Sequence, residues 1–271
     1  NTVRQISPST VIFSDIGPDI RWVGNEKGIA GDPNWNFLDT AGFKRGAGAP
    51  PEDTLNHGNY NGRHWIPAEC DVSIRPGWFW HAAENDKVKT PEQLFDLYLK
   101  SVGRGANLLL NVPPDNRGLI TSYDSAALVQ FKKLRDDNFR SNLLKKAVSY
   151  YEFSQADMGN KKLLIRRFDS ASYGINLQNF IVQFKEPTKI NCIVLREAIH
   201  LGQTVRKFRI VLVNGKEAIG EVQGTSVGRE RILTFPAVTI SSFRVYLDDA
   251  QGNDNINRIA AYLIDNKLVE K

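Results

Sequence analysis

Residues 90–114 read TPEQLFDLYLKSVGRGANLLLNVPP, and this stretch decides the fold class of the first part of the chain. It begins with a helix capping box, because Thr90 is followed by proline at the first helical position and by Gln93 three residues after the cap. Apolar residues then recur at helical spacing until Gly103. The apolar run NLLLNV follows and predicts a buried strand. A helix leading into such a strand is typical of a parallel α/β protein.

Predicted elements on both sides of this stretch continue the same alternation. Residues 10–15, TVIFSD, predict a short buried strand, and residues 64–74, HWIPAECDVSI, predict another extended segment. Between them, residues 31–62 are rich in Gly, Pro, Asn and Asp and predict a long loop, and a loop of that length is usually functional or disordered. A second amphipathic helix is predicted to begin near Ser122. The order strand, loop, strand, helix, strand, helix predicts a parallel α/β sheet.

The pattern changes after Arg140. The remaining residues form short β-branched and aromatic segments separated by turns, and no convincing helix follows. The predicted strands are IVQF, NCIVLREAI, KFRIVLV, RILTF, FRVYL and IAAYLI. This pattern predicts an antiparallel β-sandwich or jelly roll. The sequence therefore predicts an α/β domain over residues 1–145 and a β-sandwich domain over residues 146–271.

Composition argues against several classes of function. The net charge of the 271 residues is +5, but the excess lies after Arg140 and no block of like charges occurs, so we expect no nucleic-acid partner. The longest apolar runs are strand-sized, well short of about 18 residues, so no membrane span is predicted. Cys70 and Cys192 lie outside any metal-ligand spacing and predict buried thiols. Neither a zinc site nor a disulfide framework is therefore indicated.

The tryptophans are confined to one region of the chain. Core packing explains one or two of them, because an indole buries a large area and needs a partner for its N–H. Several, however, stand beside glycine, proline and charged residues in predicted loops. A flat indole there can stack on the C–H face of a sugar ring while polar neighbours bind the hydroxyl groups, so the pattern favours carbohydrate binding. The five residues are Trp22, Trp35, Trp65, Trp78 and Trp80.

Carboxylates accompany these aromatic residues. Asp15, Asp19 and Glu26 lie around the first cluster, and Glu69 and Asp71 precede the second. Glycoside hydrolysis canonically uses two carboxyl groups, one as acid and the other as nucleophile or base. Partial burial beside an indole raises the pKa of a glutamate toward neutrality, as a general acid requires. The structural alternatives are a loop cap for Asp15 and an ion pair of Glu69 with Arg75, and the pattern leaves both open.

Three motifs in order closely resemble the α-L-fucosidases of glycoside hydrolase family 29, in particular the branch that removes α-1,3 and α-1,4 linked fucose. They are IFSDIGPDIRWVGNEKGIAG, WIPAECDVSIRPGWFWH and GRGANLLLNVPPDNRGLI. The resemblance covers residues 3–140, and the remainder is similar to the carboxy-terminal, galactose-binding-like β-sandwich of those enzymes. It implies the second half of a (β/α)8-like barrel followed by an antiparallel β-sandwich. It also implies a retaining mechanism, fucosylated oligosaccharides as substrates, and a periplasmic or secreted location. No metal and no organic cofactor are implied.

The resemblance also assigns roles to individual residues. Glu26 of RWVGNE is the implied general acid/base, and Arg21 is expected to lie against the nucleophile and keep it ionised. Trp78 of RPGWFW is expected to form part of the apolar wall that receives the methyl group of fucose. Trp22 is expected to contact substrate beside this wall.

Further residues of the motifs receive less definite roles. Glu69 and Asp71, together with Arg75, are interpreted as groups that support the site or face the leaving group, with a structural ion pair as the equal alternative. His64 and His81 border the cleft motifs, as substrate ligands or as packed hydrogen-bonding residues.

One departure from the family pattern concerns the nucleophile, an Asp in a WFDGA-like motif that occurs nowhere in these residues. A complete barrel of this kind takes about 250 residues, and the barrel-like part ends near residue 140. We therefore expect a carboxy-terminal portion whose partner is the amino-terminal half of the barrel, and which is inactive without it. The alternatives are a non-catalytic carbohydrate-binding protein and an exoglycosidase for another neutral sugar.

Overall fold

The computed structural model describes residues 2–152, 179–251 and 256–269. Within these ranges the helices are α1 Thr2–Ile6, α2 Glu52–His57, α3 Pro91–Lys100 and α4 Ser122–Asn138. The first six strands are β1 Phe13–Ser14, β2 Ile20–Trp22, β3 Phe37–Leu38, β4 His64–Trp65, β5 Ala68–Ser73 and β6 Asn107–Asn111. The others are β7 Ala147–Glu152, β8 Asn179–Glu197, β9 Val205–Asn214, β10 Glu217–Gly224, β11 Arg231–Ala250 and β12 Ile256–Tyr262.

A parallel sheet with the order β1-β2-β5-β6 organises the first part of the chain. Helix α3 begins with the predicted capping box, in which Thr90 and Gln93 bond each other's backbone N–H groups. Helices α3 and α4 pack on one face of the sheet, where Val72, Leu94 and Ala127 are buried together. The predicted parallel α/β arrangement is therefore confirmed for this part of the chain.

Two predictions for the first part of the chain were wrong in detail. Residues 10–15 supply only the short strand β1, and Phe13 is 40% exposed, because β1 is the last strand at one edge of the described sheet. Residues 31–62 are not a plain loop, since they contain β3 and α2. Leu38 and Leu55 from these two elements are buried in one small apolar cluster, which holds the segment against the rest of the domain.

An antiparallel sheet with the order β10-β9-β11-β8-β12 forms the second part, and β7 pairs with β8. Its core contains Phe180, Phe208 and Phe243, each fully buried. The predicted change to antiparallel β-structure is confirmed. The chain passes between the sheets after α4, and the division at residue 145 stays a prediction, since residues 153–178 lie outside the described ranges.

Two pairs of predicted strands are in fact single long strands. IVQF and NCIVLREAI both belong to β8, and RILTF and FRVYL both belong to β11. The pairing of β11 with β8 shifts register between Thr234 and Val238, and Pro236 lies inside this irregularity. Proline has no N–H to donate and is tolerated at bulges, which bend a strand without ending it. The prediction of separate strands was wrong because a bulge interrupts the side-chain alternation as a turn does.

Polar contacts bind the antiparallel domain to the segment that follows β2. The Gln203 side chain accepts a hydrogen bond from the backbone N–H of Asn36 (2.8 Å) and donates one to the carbonyl of Asn34 (2.9 Å). Arg231 pairs with Asp32 at 2.6 Å. Because Gln203, Asn34 and Asn36 are buried, these bonds hold the two sheets in one fixed arrangement.

A buried carboxylate at the end of β8 gives a test of the antiparallel domain. Glu197 accepts hydrogen bonds from the backbone N–H groups of Thr204 (2.6 Å), Val205 (3.0 Å) and Gly228 (2.6 Å). Glu197→Ala leaves these donors without an acceptor, so we expect the free energy of unfolding in urea to fall by about 2–3 kcal/mol. Glu186→Ala, at an exposed position on the same strand, is the control and should change it by less than about 0.5 kcal/mol. Equal effects would contradict this role of Glu197.

The two cysteines agree with the sequence analysis. Cys70 and Cys192 are both free and buried, as predicted. Burial raises the pKa of Cys70 to about 12, so this thiol stays protonated and unreactive at neutral pH. In the described ranges, no helix combines the length and the apolar character needed to span a membrane.

Candidate active site

The candidate site lies where β2, β5 and β6 end. Because these neighbouring strands are parallel, their carboxyl ends meet at one edge of the sheet, which is where α/β proteins commonly place functional groups. The loop after β2 carries Glu26, and the loop after β5 carries Trp78. Ser73 and Asn111, the last residues of β5 and β6, stand opposite each other in the strand register.

The local sequence around Glu26 explains the shape of its loop. Gly24 and Gly28 have φ values of 83° and 72°, a backbone conformation that favours glycine. At Gly28 a side chain is excluded as well, because a Cβ atom there would lie 2.7 Å from Val72. Asn25 closes the turn by accepting a hydrogen bond from the N–H of Lys27 at 3.1 Å. The loop WVGNEKG thus turns tightly over β5 and leaves the Glu26 side chain exposed.

The carboxylate of Glu26 is bonded to a tryptophan from the neighbouring loop. The indole N–H of Trp78 donates a hydrogen bond of 2.8 Å to Oε2 of Glu26. Trp78 is held in turn at the strand ends, since the Asn111 side-chain amide donates to the Trp78 carbonyl (3.0 Å). Ser73 donates to the carbonyl of Gly77 at 2.7 Å. The structure therefore brings the two motifs RWVGNE and RPGWFW into direct contact.

A second tryptophan–carboxylate pair joins β2 to β5. Trp22, the last residue of β2, donates its indole N–H to Oδ1 of Asp71 on β5 at 2.6 Å. Glu69 lies two residues before Asp71, so both side chains share a face of β5. Burial, with the negative charge of Asp71, raises the pKa of Glu69. This face of the sheet therefore combines partly buried indole and carboxylate groups, and Leu109 on β6 is exposed there.

Arg21 does not join Glu26 at the strand ends. Its side chain is fully buried, and it donates hydrogen bonds to the carbonyls of Leu55 (2.8 Å) and Ile66 (2.6 Å) and to the Asn34 side chain (3.1 Å). Burial lowers the pKa of this guanidinium to about 10. Alternation along β2 sends Arg21 and Trp22 to opposite faces, and the expected contact of Arg21 with the nucleophile stays a prediction. Arg21 anchors the segments around β2.

Arg75 is also buried, and its partner is not Glu69. Its Nε and Nη2 atoms donate to the two carboxylate oxygens of Asp124 at 2.9 and 2.7 Å, and both side chains are fully buried. Thr121 and Asn85 accept further hydrogen bonds from Nη2. The proposed ion pair of Glu69 with Arg75 is therefore replaced by a bidentate pair that ties β5 to the first turn of α4.

The two histidines of the cleft motifs lie at exposed positions. His64 is in β4, which pairs with β3 in a separate two-stranded sheet. His81 precedes a 3₁₀ helix, and its carbonyl accepts a hydrogen bond from Arg75 at 3.4 Å. A role for either imidazole in binding substrate stays a prediction.

Two polar residues of the site were missed in the sequence. Ser73 and Asn111 fix the loop that carries Trp78, and Asn111 also donates to the Ser73 hydroxyl at 3.1 Å. A signal was present, because each is a polar residue at the end of a strand with a buried or apolar core. The spacing alone could not show that they pair, since this depends on β5 and β6 being neighbours.

The chemistry available at this edge is that of a carboxyl group and indole faces. Glu26 is exposed and can exchange a proton with a bound molecule. Across the described residues, no group of three or more His, Cys, Asp or Glu side chains is arranged to hold a metal ion. Proton transfer by Glu26 beside the indole of Trp78 is a reaction step that this site can support.

Comparisons with known proteins point to one family. The model of the α-L-fucosidase family matches residues 47–136. α-L-Fucosidase 1 of Arabidopsis thaliana is 38% identical over 273 residues, which cover 96% of this chain and 53% of that protein. The chain spans about half the length of the curated relatives it matches.

Solved structures give the same result. A glycoside hydrolase 29 family member from an unknown rumen bacterium matches with a TM-score of 0.79 and 31% identity, over 97% of this chain and 44% of that one. A Ruminococcus gnavus family 29 fucosidase solved in complex with fucose is 23% identical, so its TM-score of 0.71 over 93% of this chain and 52% of that one supports the fold alone.

These matches and the strand-end site point to one class of protein, the glycoside hydrolases. Within that class, the chain is similar to the α-L-fucosidases of glycoside hydrolase family 29.

Proposed function

We propose that the complete protein is a retaining α-L-fucosidase that removes terminal α-linked fucose, in α-1,3 or α-1,4 linkage, from glycans. The observation that carries the proposal is the exposed carboxylate of Glu26 at the strand ends, bonded to Trp78. The names of the relatives support the sugar, since the Arabidopsis thaliana protein is an α-L-fucosidase.

The proposed reaction is a double displacement. An aspartate from polypeptide outside these residues attacks the anomeric carbon, while Glu26 protonates the oxygen of the departing sugar. Glu26 then takes a proton from water, and this water releases fucose with its configuration retained. The two carboxyl groups of such a pair lie about 5 to 5.5 Å apart, so the nucleophile must approach Glu26 closely.

We further propose that the parallel sheet is one half of a (β/α)8-like barrel. Within the described residues, β1 and β6 are the edge strands of this sheet, and both carry exposed apolar side chains, Phe13 and Leu109. A closed barrel would pair these edges with further strands and cover these side chains. The amino-terminal half of the barrel is thus the proposed partner, and it would supply the nucleophile.

The remaining residues of the site receive proposed roles from their positions. The indole faces of Trp22 and Trp78 suit the apolar side of a fucose ring, and Trp78 would receive its methyl group. Asp71 is bonded to Trp22 and would fix this indole, while Glu69 would bind a hydroxyl of the substrate or the leaving group. His64 is a proposed contact on the leaving-group side.

We propose that the antiparallel domain, with the predicted jelly-roll fold, mainly braces the barrel. Gln203 and Arg231 bind the segment after β2, which supports this role. A periplasmic or secreted location is proposed as well, because fucosylated glycans occur outside the cytoplasm.

The proposal is tested with the complete enzyme. We expect it to hydrolyse 4-nitrophenyl α-L-fucoside and fucosylated trisaccharides with α-1,3 or α-1,4 linkages, and to leave nitrophenyl galactosides intact, because galactose lacks the methyl group. Proton NMR at early times should show α-L-fucose as the first product, which reports retention. Binding of fucosides without hydrolysis would instead indicate a carbohydrate-binding protein, and hydrolysis of another neutral sugar would indicate another exoglycosidase. A β-anomer as first product would contradict the retaining mechanism.

A further inference from the structure

The contact between Trp78 and Glu26 joins two loops that are 52 residues apart in sequence. Among the described residues, this 2.8 Å bond is the hydrogen bond that the Glu26 carboxylate makes. The side chain is otherwise exposed, in a loop that turns at two glycines. Without this hydrogen bond, the several rotatable bonds of a glutamate would leave its carboxyl group in many orientations. The indole N–H selects one of them.

Of the two tryptophans in this loop, Trp78 makes this hydrogen bond and Trp80 does not. Trp80 stands two residues further on, and its indole N–H is buried without a hydrogen-bond partner among the described residues. Trp78 is placed by its backbone, because Asn111 bonds its carbonyl and Ser73 bonds the carbonyl of Gly77. The position of the Trp78 indole is thus determined from the ends of β5 and β6.

The chemistry of indole adds a consequence for the proton. An indole N–H can only donate a hydrogen bond, so Oε2 of Glu26 must act as the acceptor. When the carboxyl group is protonated, its carbonyl oxygen is the better acceptor, so the indole N–H favours the O–H group at Oε1. Oε1 is also the oxygen that has no hydrogen-bond donor among the described residues.

We propose that Trp78 is a positioning residue for proton transfer, which holds Oε2 of Glu26 through its indole N–H and directs the Oε1 proton to the glycosidic oxygen. Asn111 and Ser73 act through Trp78 by fixing its loop. This inference rests on the proposed function, because it assigns Glu26 the role of the acid. It differs from the role of Trp78 as an apolar wall, because an apolar wall needs the indole face but not the N–H group.

The test compares Trp78→Phe with Trp80→Phe in the complete enzyme. Phenylalanine keeps an aromatic face and removes the N–H donor. We expect Trp78→Phe to lower kcat on a fucosylated trisaccharide by about 10- to 100-fold, the effect of losing one hydrogen bond to a charged group. On 4-nitrophenyl fucoside, whose leaving group needs little protonation, kcat should fall by less than about threefold. Trp80→Phe, which removes an unbonded N–H, should leave the ratio between the two substrates unchanged.

Coupling to Glu26 separates positioning from a general structural effect. In a Glu26→Gln background, adding Trp78→Phe should lower trisaccharide turnover by less than about threefold further, because the proton has already been lost. An equal loss on both substrates, or a full additional loss in this background, would overturn the inference. If Trp78→Phe does not fold, Asn111→Ala removes the donor to the Trp78 carbonyl and is expected to show the same selectivity for the trisaccharide.

The outcomes also distinguish this inference from the proposed function. If Glu26→Gln shows no selective loss on the trisaccharide, the assignment of the acid fails, and the inference fails with it. If Glu26→Gln is selective and both Trp78→Phe and Asn111→Ala are not, the fucosidase mechanism stands and the positioning role is wrong.

Discussion

Glu26→Gln in the complete enzyme is expected to lower kcat on fucosylated trisaccharides by about 100- to 10,000-fold, the usual contribution of general acid–base catalysis. Glutamine keeps the size of the side chain and can accept the hydrogen bond from Trp78, but it cannot supply a proton to the departing oxygen. A sugar alkoxide is a poor leaving group, so its departure depends on that proton. Nitrophenolate leaves readily without it, and the loss on 4-nitrophenyl fucoside should be much smaller.

Steady-state kinetics on both substrates at one pH measure this difference. Glu92→Gln, an exposed glutamate in the first turn of α3, is the matched control and should change neither rate by more than about twofold. Small and equal effects of Glu26→Gln on the two substrates would contradict the assignment of Glu26 as the acid.

The second large effect is expected on stability. Asp124→Ala leaves the fully buried guanidinium of Arg75 without its bidentate partner. Removing one member of a buried ion pair costs about 3–5 kcal/mol, and we expect this loss in the free energy of unfolding measured with urea. The pair joins β5 to α4, so the α/β part of the chain should become the less stable part.

Two further variants test the origin of this effect. Asp136→Ala breaks the exposed pair with Lys132 on the same helix and should cost less than about 1 kcal/mol. The double variant Arg75→Met, Asp124→Leu removes both charges and should be more stable than Asp124→Ala, because no uncompensated charge stays buried. If the double variant is the least stable, packing rather than charge explains the effect.

The same pair predicts a dependence of stability on pH. Burial raises the pKa of Asp124, but hydrogen bonds from Arg75 and Thr121 lower it more, and the net pKa is below the ordinary value of 3.8. A carboxyl group whose pKa is lowered by folding stabilises the folded state above its unfolded pKa. The contribution is lost as the pH falls through the folded pKa. The difference in stability between the unmodified protein and Asp124→Ala should therefore be constant near neutral pH and shrink below pH 3.8.

Local signals predicted most of the secondary structure. The capping box at Thr90 and Gln93 predicted the start of α3, and the apolar run after it predicted β6, because caps and apolar periodicity act over a few residues. Predictions failed where the position of an element in the fold determines the exposure of a side chain or the length of a strand. The sequence predicted a buried strand at Phe13, but this residue lies at a sheet edge. It also predicted that a strand ends before Pro236, but this proline lies in a bulge within one long strand.

The sequence by itself determined which chemical groups this protein carries and which loops present them, with Glu26 and Trp78 in motifs that resemble those of a fucosidase. Only the tertiary structure decided which groups meet. It sent Arg21 into the interior, paired Arg75 with Asp124, and brought the Trp78 indole to one oxygen of Glu26. The physical reason is that strand order and side-chain alternation set distances between residues far apart in the chain, and spacing along the sequence does not contain them.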